Sequence, residues 1–217
     1  MVVSGTAQCS LPIGVRRSDG KRMILGLSCA ISEAEPHWRK LLNSLKERGM
    51  GLPDLVTSDA HDGLKAALRT TLNASPWQRC QFHLQQNAQA YVPTRSMKAT
   101  VAADIKNIFN SSDRAHADLL LTETVKKYEK TAPELSRWME TNIPEGLTVF
   151  NFPEKIRRRL RTSNMCETLN SQIKRRTRVV GLFPNEDSLK RLVTAVLMEI
   201  SEDWETGKAY LSISPKN

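Results

Sequence analysis

The sequence lacks the features of a membrane or secreted protein. None of its 217 residues belongs to a run of about 18 apolar amino acids, the shortest length typical of a membrane-spanning helix. The first ten residues lack a basic segment followed by a long apolar one, so no secretory signal is recognised. The four cysteines (Cys9, Cys29, Cys80 and Cys166) include no C-x-x-C pair, which favours free thiols in a reducing compartment. We therefore expect a cytoplasmic protein with no membrane partner.

Acidic residues are scarce in one segment of the chain. Between residues 151 and 180, nine basic residues accompany two acidic ones, so thirty residues carry +7 of the chain's net +9. The basic residues are Lys155, Arg157, Arg158, Arg159, Arg161, Lys174, Arg175, Arg176 and Arg178. Such clustering is typical of a surface that binds a polyanion, above all nucleic acid. A solvated helix face and a site for an acidic protein partner are the alternatives.

The pattern of apolar residues and turns predicts an α/β structure. Strands over residues 10–16 and 22–31 flank an Asp-Gly turn and suggest a hairpin. A helix follows from Ser32, with a capping box to Glu35, and ends at Gly49. Short strands at 54–58 and 76–84, separated by a helix, imply a layered domain with at least one parallel strand pair.

Strand signals become rare after residue 94. Apolar spacing predicts helices throughout residues 94–143, and further helices over 164–178 and 187–204. The organisation that we predict is therefore an α/β part over residues 1–93, a helical insertion over 94–150 and a helical part with the basic cluster over 151–217.

Two acidic residues stand where a divalent cation would bind. Asp59 follows a buried strand directly, at the edge of an α/β sheet where ligands gather, and its carboxylate suits Mg²⁺. Its alternative role is the N-cap of the next helix, and His61 and Asp62 are weaker candidates. Glu167 is the lone acid among the nearby basic residues, although it also suits a capping box with Asn164.

Cys80 and His83 form a C-x₂-H pair. A zinc site needs about four ligands, and no second pair is visible, so a structural role that orients neighbouring groups is favoured. A nucleophilic cysteine with a histidine base is conceivable. In a strand, however, a separation of three residues places the two side chains on opposite faces, which argues against it.

Three segments in order carry a family resemblance. They are residues 58–67 (SDAHDGLKAA), residues 77–83 (WQRCQFH), and residues 161–170 (RTSNMCETLN) continuing to 175–186 (RRTRVVGLFPNE). Together they resemble the mutator-type transposases of bacterial insertion sequences, over nearly the whole chain. The resemblance implies a ribonuclease-H-like catalytic fold, a mixed sheet flanked by helices, with an all-helical insertion.

The resemblance also implies a catalytic site of the DDE type, with two Asp and one Glu that bind metal. Asp59 matches the second acid, Glu167 the third, and Cys80 with His83 the supporting C/D-x₂-H motif. The first Asp and its strand have no match in the sequence, which predicts an incomplete, N-terminally truncated and inactive member. The implied cofactor is Mg²⁺ or Mn²⁺, with no organic cofactor.

The implied partner is double-stranded DNA, both transposon ends and target. Alternatives to a catalytic protein are a DNA-binding remnant that pairs with intact transposase, or a relic without function. A homo-oligomer is a further expectation, as is association with the nucleoid. The residues expected to contact the DNA backbone are Arg157, Arg158, Arg159, Arg161, Lys174, Arg175, Arg176 and Arg178.

Overall fold

The structure, a computed structural model, describes residues 2–4, 7–10, 12–16, 18–30, 34–178, 183 and 185–212. The chain divides into two compact units. The first unit comprises Met1–Leu52, His61–Ala74 and Asn164–Asn217, and the second comprises Pro53–Ala60 and Ser75–Ser163. Among the described residues, no helix is both long and apolar enough to cross a membrane.

The described strands form three small sheets. They are β1 (Val2–Ser4), β2 (Ala7–Ser10), β3 (Ile13–Val15), β4 (Arg22–Ile24), β5 (Ser28–Ala30), β6 (Val56–Ser58) and β7 (Trp77–Arg79). Strands β1, β2 and β5 form an antiparallel sheet in that order, β3 and β4 form a hairpin, and β6 and β7 form a parallel pair. The predicted α/β class and its parallel pair are confirmed, whereas the ribonuclease-H-like arrangement stays a prediction.

Helices make up most of the remaining described chain. They are α1 (Glu35–Glu47), α2 (Asp62–Thr71), α3 (Gln81–Ala88), α4 (Lys98–Phe109), α5 (Arg114–Tyr128), α6 (Pro133–Asn142), α7 (Glu154–Leu160), α8 (Asn164–Thr177) and α9 (Glu186–Thr206). Residues 94–143 contain only helices and connecting turns, as predicted.

The predicted hairpin exists, but each of its strands is shorter than expected. The segment predicted as one strand over 22–31 is split between β4 and β5, which belong to different sheets. Pro12 interrupts the facing segment between β2 and β3 because it has no N–H for the ladder, while its carbonyl accepts a hydrogen bond from Leu25 N at 3.0 Å. The turn contains Gly20 at φ +67°, a conformation that glycine adopts without strain.

The core of the first unit lies where α8 and α9 pack on the β3–β4 hairpin. Its buried side chains are Leu169, Ile173, Leu189, Val193, Val196, Leu197 and Ile200. Five of these seven side chains belong to α9, the helix that apolar spacing predicts over residues 187–204. Helix α1 begins at Glu35 rather than Ser32, with Ala34 at the N-cap position and Pro36 in the first turn; Ser32 itself lies outside the described residues.

The second unit has a separate apolar core that helices α3 to α6 build with the segment 143–150. Its largest fully buried side chains include Leu84, Ile105, Ile108, Leu135 and Met139. A buried amide links this core to the parallel strands. Gln78 on β7 donates to the carbonyl of Gly146 at 2.7 Å and accepts from the backbone N–H of Val149 at 2.8 Å.

Candidate functional site

Asp59 stands directly after β6, at the carboxyl end of the parallel strand pair, as the sequence predicted. Its side chain is 53% exposed, and its Oδ1 accepts the backbone N–H of Ala60 at 2.7 Å. The alternative N-cap role is wrong, because α2 begins at Asp62 and His61 occupies the N-cap position. Among the described residues no hydrogen bond engages Asp59 Oδ2, so one carboxylate oxygen remains available to a ligand.

Cys80 and His83 lie at the start of a helix and not in a strand. The predicted strand over 76–84 is wrong in its second half: β7 ends at Arg79, Cys80 occupies the N-cap position of α3, and His83 belongs to the first helical turn. Residues three apart at a helix start lie on the same side, whereas in a strand they point to opposite faces. The argument against a Cys80–His83 interaction therefore fails, because His83 lowers the pKa of the Cys80 thiol.

The Cys80 thiol is buried and has a lowered pKa. Burial alone would raise the pKa, but hydrogen bonds from His83 and Ser163 outweigh it. The backbone N–H of Ser163 lies 3.4 Å from Cys80 Sγ. Stabilisation of the thiolate is the common effect of these contacts, and a thiolate is the form of cysteine that binds metals and reacts.

We expect His83→Leu to raise the pKa of Cys80, because it removes a hydrogen bond that stabilises the thiolate and leaves the buried position unchanged. The measurement is the thiolate ultraviolet absorbance against pH, taken as the difference between each protein and its Cys80→Ser variant so that the other cysteines cancel. The lowered pKa contributes stability at high pH that is lost as the pH falls through the folded-state pKa. An unchanged titration curve in His83→Leu would contradict this account.

Asp59 also lies near His83 within the second unit. His83 Nδ1 is 4.0 Å from Asp59 Oδ1, which is longer than a hydrogen bond but close enough for electrostatic attraction when the histidine is protonated. Three of the four predicted site residues, Asp59, Cys80 and His83, are therefore close together. Sequence reasoning missed Phe82, which lies between Cys80 and His83 in the chain and is 48% exposed.

The end of α7 is attached to the elements that carry these residues. Thr57 on β6 donates its hydroxyl to the carbonyl of Leu160 at 2.7 Å, and the backbone N–H of Gln81 donates to the carbonyl of Arg161 at 3.0 Å. Together with the contact from Ser163 to Cys80, these bonds fix residues 160–163 against the end of β6 and the start of α3. The last turn of α7 thus lies beside Asp59, Cys80 and His83, which together are called the Asp59 group.

The four predicted DNA-contacting arginines of this helix end fall into two classes. Arg157 donates to the carbonyls of Phe152 and Ser112, both at 2.7 Å, and Arg161 donates to the side chain of Asn110 at 2.8 Å. Burial, and secondarily the charge of Arg158, lowers the pKa of Arg161. By contrast, Arg158 and Arg159 are exposed and suited to an external anion. Arg157 and Arg161 hold the fold of the second unit.

The other predicted residues lie on α8 of the first unit or, in the case of Arg178, directly after it. Lys174, Arg175 and Arg178 are exposed, whereas Arg176 makes a two-point ion pair with Glu199 on α9 that raises the arginine's pKa. Glu167 is half-buried in the first turn of α8.

One helical turn after Glu167, the side-chain oxygen Asn170 Oδ1 is buried and has no hydrogen-bond partner among the described residues. Carboxylate and amide oxygens are the donors that Mg²⁺ and Mn²⁺ prefer, so Glu167, Asn170 and Asp59 each offer chemistry that fits such an ion.

Comparison with known families matches residues 2–207 to the family described as transposase, mutator family. The chain belongs to the mutator family of transposases. It is 49% identical over 205 residues to the transposase for insertion sequence element IS406 of Burkholderia multivorans, covering 94% of this chain and 53% of the relative. This finding confirms the family predicted from the three motifs.

Two further transposases support the same family. The transposase for insertion sequence element ISRM5 of Rhizobium meliloti is 35% identical over 195 residues, with 90% of this chain and 49% of the relative covered. The transposase for IS256 in transposon Tn4001 of Staphylococcus aureus is 33% identical over 202 residues, with 90% and 50% covered. The chain therefore spans about half the length of these relatives.

Proposed function

We propose that this mutator-family chain binds double-stranded DNA through its exposed basic side chains and holds Asp59 and Glu167 as metal-binding acids for phosphodiester chemistry. The observation that carries the proposal is the attachment of the α7 end to β6 and α3. It fixes the end of the helix that carries the exposed Arg158 and Arg159 against β6, the strand that ends directly before Asp59. Metal-dependent phosphoryl chemistry requires cations that bind the phosphate close to an oxygen atom that binds the metal ion.

The DNA binding that we propose is weak and has little sequence preference. Phosphate contacts position a protein on DNA without reading its bases, and long basic side chains at the surface supply such contacts. Arg158, Arg159, Lys174, Arg175 and Arg178 are exposed and can reach a backbone phosphate. The DNA would be a transposon end or target site, and a location at the nucleoid in the cytoplasm follows from it.

Asp59 in the second unit and Glu167 in the first are each proposed to bind Mg²⁺ or Mn²⁺, and the buried oxygen of Asn170 is a further donor beside Glu167. When bound, such an ion stabilises negative charge on a phosphodiester and on the attacking or leaving oxygen. Cys80 and His83 position the start of α3, and His83 attracts the Asp59 carboxylate when it is protonated. A ribonuclease-H-like fold is the framework that we propose for these acids.

A second candidate is a DNA-binding protein without cleavage activity that pairs with intact transposase or with a second copy of itself. It is favoured by the exposed basic side chains of α7 and α8, because phosphate contacts of this kind bind DNA without a metal ion or a chemical step.

The DNA-binding proposal predicts that Arg158→Ala with Arg159→Ala weakens binding to a fluorescent duplex about tenfold or more at about 0.1 M salt, because up to two phosphate contacts are lost. Fluorescence anisotropy measures the change. The matched control is Lys126→Ala with Lys130→Ala, which removes the same charge from exposed positions at the end of α5. Equal affinities of the two double variants would contradict a DNA surface at α7.

Plasmid nicking separates the two candidates. The DNA-binding candidate predicts that the purified protein leaves supercoiled plasmid intact with Mg²⁺ or Mn²⁺, whereas the catalytic candidate predicts nicking. The comparison is with Asp59→Asn, which keeps the size of the side chain and removes its charge. Nicking by the wild type that disappears in Asp59→Asn would reject the inactive candidate and support the catalytic one.

A further inference from the structure

Phe82 is an exposed aromatic ring beside the Asp59 group. Its side chain is 48% exposed, although phenylalanine is among the residues most often buried in proteins. It lies in the first turn of α3 and contacts the ring of His83 edge to face, with 5.4 Å between the centroids and 69° between the planes. The ring therefore stands at the rim of the group formed by Asp59, Cys80 and His83.

The fold of the second unit does not use this ring as a core residue. The apolar cluster of that unit is built on α3 from Leu84 and Ala88, and Phe82 is not among the side chains that pack in it or against it. Phe82 has no polar atom that would account for its exposure by a hydrogen bond to water. An exposed, flat and uncharged surface of this kind is suited to stack on another ring.

The residues around Phe82 indicate which kind of molecule would supply the ring that stacks on it. The neighbouring Gln81 N–H is bonded to the carbonyl of Arg161, which fixes the end of α7, with exposed Arg158 and Arg159, next to the start of α3. A ligand that satisfies both features carries a planar ring and a negative charge. A nucleotide unit of DNA has both, the base for the ring and the phosphate for the arginines.

We propose that Phe82 stacks on an unpaired nucleobase of the DNA strand bound beside Asp59. The inference rests on the proposed DNA binding. It adds that the bound DNA strand contains an unpaired base at this position. Inside a duplex the bases are paired and stacked on their neighbours, so only an unpaired base, in a single-stranded end or turned out of the helix, is free to stack on a protein ring. A single-stranded end offers such a base without the free-energy cost of turning it out of the helix, so the stacking partner that we propose is a base in a single-stranded end.

Photo-cross-linking tests this contact on the full chain. A duplex with a single-stranded overhang carries iododeoxyuridine in the overhang, and the cross-linked residue is identified by peptide mass spectrometry. We expect the cross-link at Phe82. Phe82→Leu should weaken binding of the overhang DNA by about tenfold, because a stacked aromatic ring is lost, and should leave binding of the blunt duplex unchanged. Phe82→Tyr, which keeps the ring, should bind as the wild type does.

Leu119→Ala is the matched control, because Leu119 is also an exposed apolar side chain of the second unit, at 56%, and lies on α5. It should change neither affinity. A cross-link at another residue, or equal loss of overhang and blunt binding in Phe82→Leu, would overturn the stacking role while leaving DNA binding intact. A change in oligomeric state in Phe82→Leu without a change in DNA affinity would assign the ring to a protein contact and also overturn it. Absence of binding to both DNAs would instead reject the proposed function itself.

Discussion

Replacement of Lys174, Arg175 and Arg178 together by alanine is expected to weaken duplex DNA binding about a hundredfold at about 0.1 M salt. Each phosphate contact releases counterions, so the loss of three contacts removes a large electrostatic term and flattens the dependence of log K on log salt by about 3. All three side chains are exposed, with Lys174 and Arg175 on α8 and Arg178 directly after its last residue. Arg176 is left in place because its guanidinium already pairs with Glu199, so it is a weaker candidate for a phosphate.

The matched control removes the same charge from another part of the chain. Lys106, Lys126 and Lys130 are exposed on or just after α4 and α5. At about 0.1 M salt charges are screened beyond about 10 Å, so the control triple variant should lose less than about threefold in affinity. If the α8 variant kept the affinity and salt dependence of the wild type, α8 would be a solvated or protein-facing helix and not a DNA surface.

Gln78→Leu is expected to lower the free energy of unfolding by about 3 kcal/mol, because each buried polar group left without a partner costs about 1–3 kcal/mol. Gln78 is fully buried, and its amide bonds the carbonyls of Arg79 and Gly146 and the N–H of Val149. Leucine fills a similar volume and makes none of these bonds. The Val149 N–H loses its partner, while Gly146 keeps the bond from Gln81.

Urea unfolding followed by circular dichroism measures this effect. Gln86→Leu makes the same substitution at an exposed position on α3 and should change the free energy of unfolding by less than about 0.5 kcal/mol. Because β7 leads directly into Cys80, loss of the Gln78 bonds should also disturb the start of α3. Equal stability of the Gln78→Leu and Gln86→Leu proteins would show that the buried amide does not hold the two segments together.

The features predictable from the sequence are those set by local periodicity. The apolar spacing of the last helix fixed its buried face, because residues three and four apart share one side of a helix. The strand–helix–strand order predicted the parallel pair and placed Asp59 at its carboxyl end. The three motifs were sufficient to predict the family that the comparisons confirm.

The features missed depend on partners far away in the chain. The interaction of Cys80 with His83 requires that β7 end at Arg79, and the residues that surround this point include Ser163, 83 positions later. Likewise Arg157 and Arg161 look like solvated cations in the sequence, but carbonyl and amide oxygens in the segment 110–112 accept their hydrogen bonds. A charge count cannot separate such arginines from Arg158 and Arg159, because exposure is decided by tertiary packing.

The most direct test of the proposed DNA binding is the salt dependence of the wild-type chain. Fluorescence anisotropy with a labelled duplex of arbitrary sequence, at several salt concentrations, gives the slope of log K against log salt. The five exposed cations of α7 and α8 predict a slope of about −4 to −5, since each neutralised phosphate contributes about −0.9. Little difference is expected between unrelated duplex sequences. A slope near zero, or no measurable binding at low salt, would contradict DNA binding through the basic cluster.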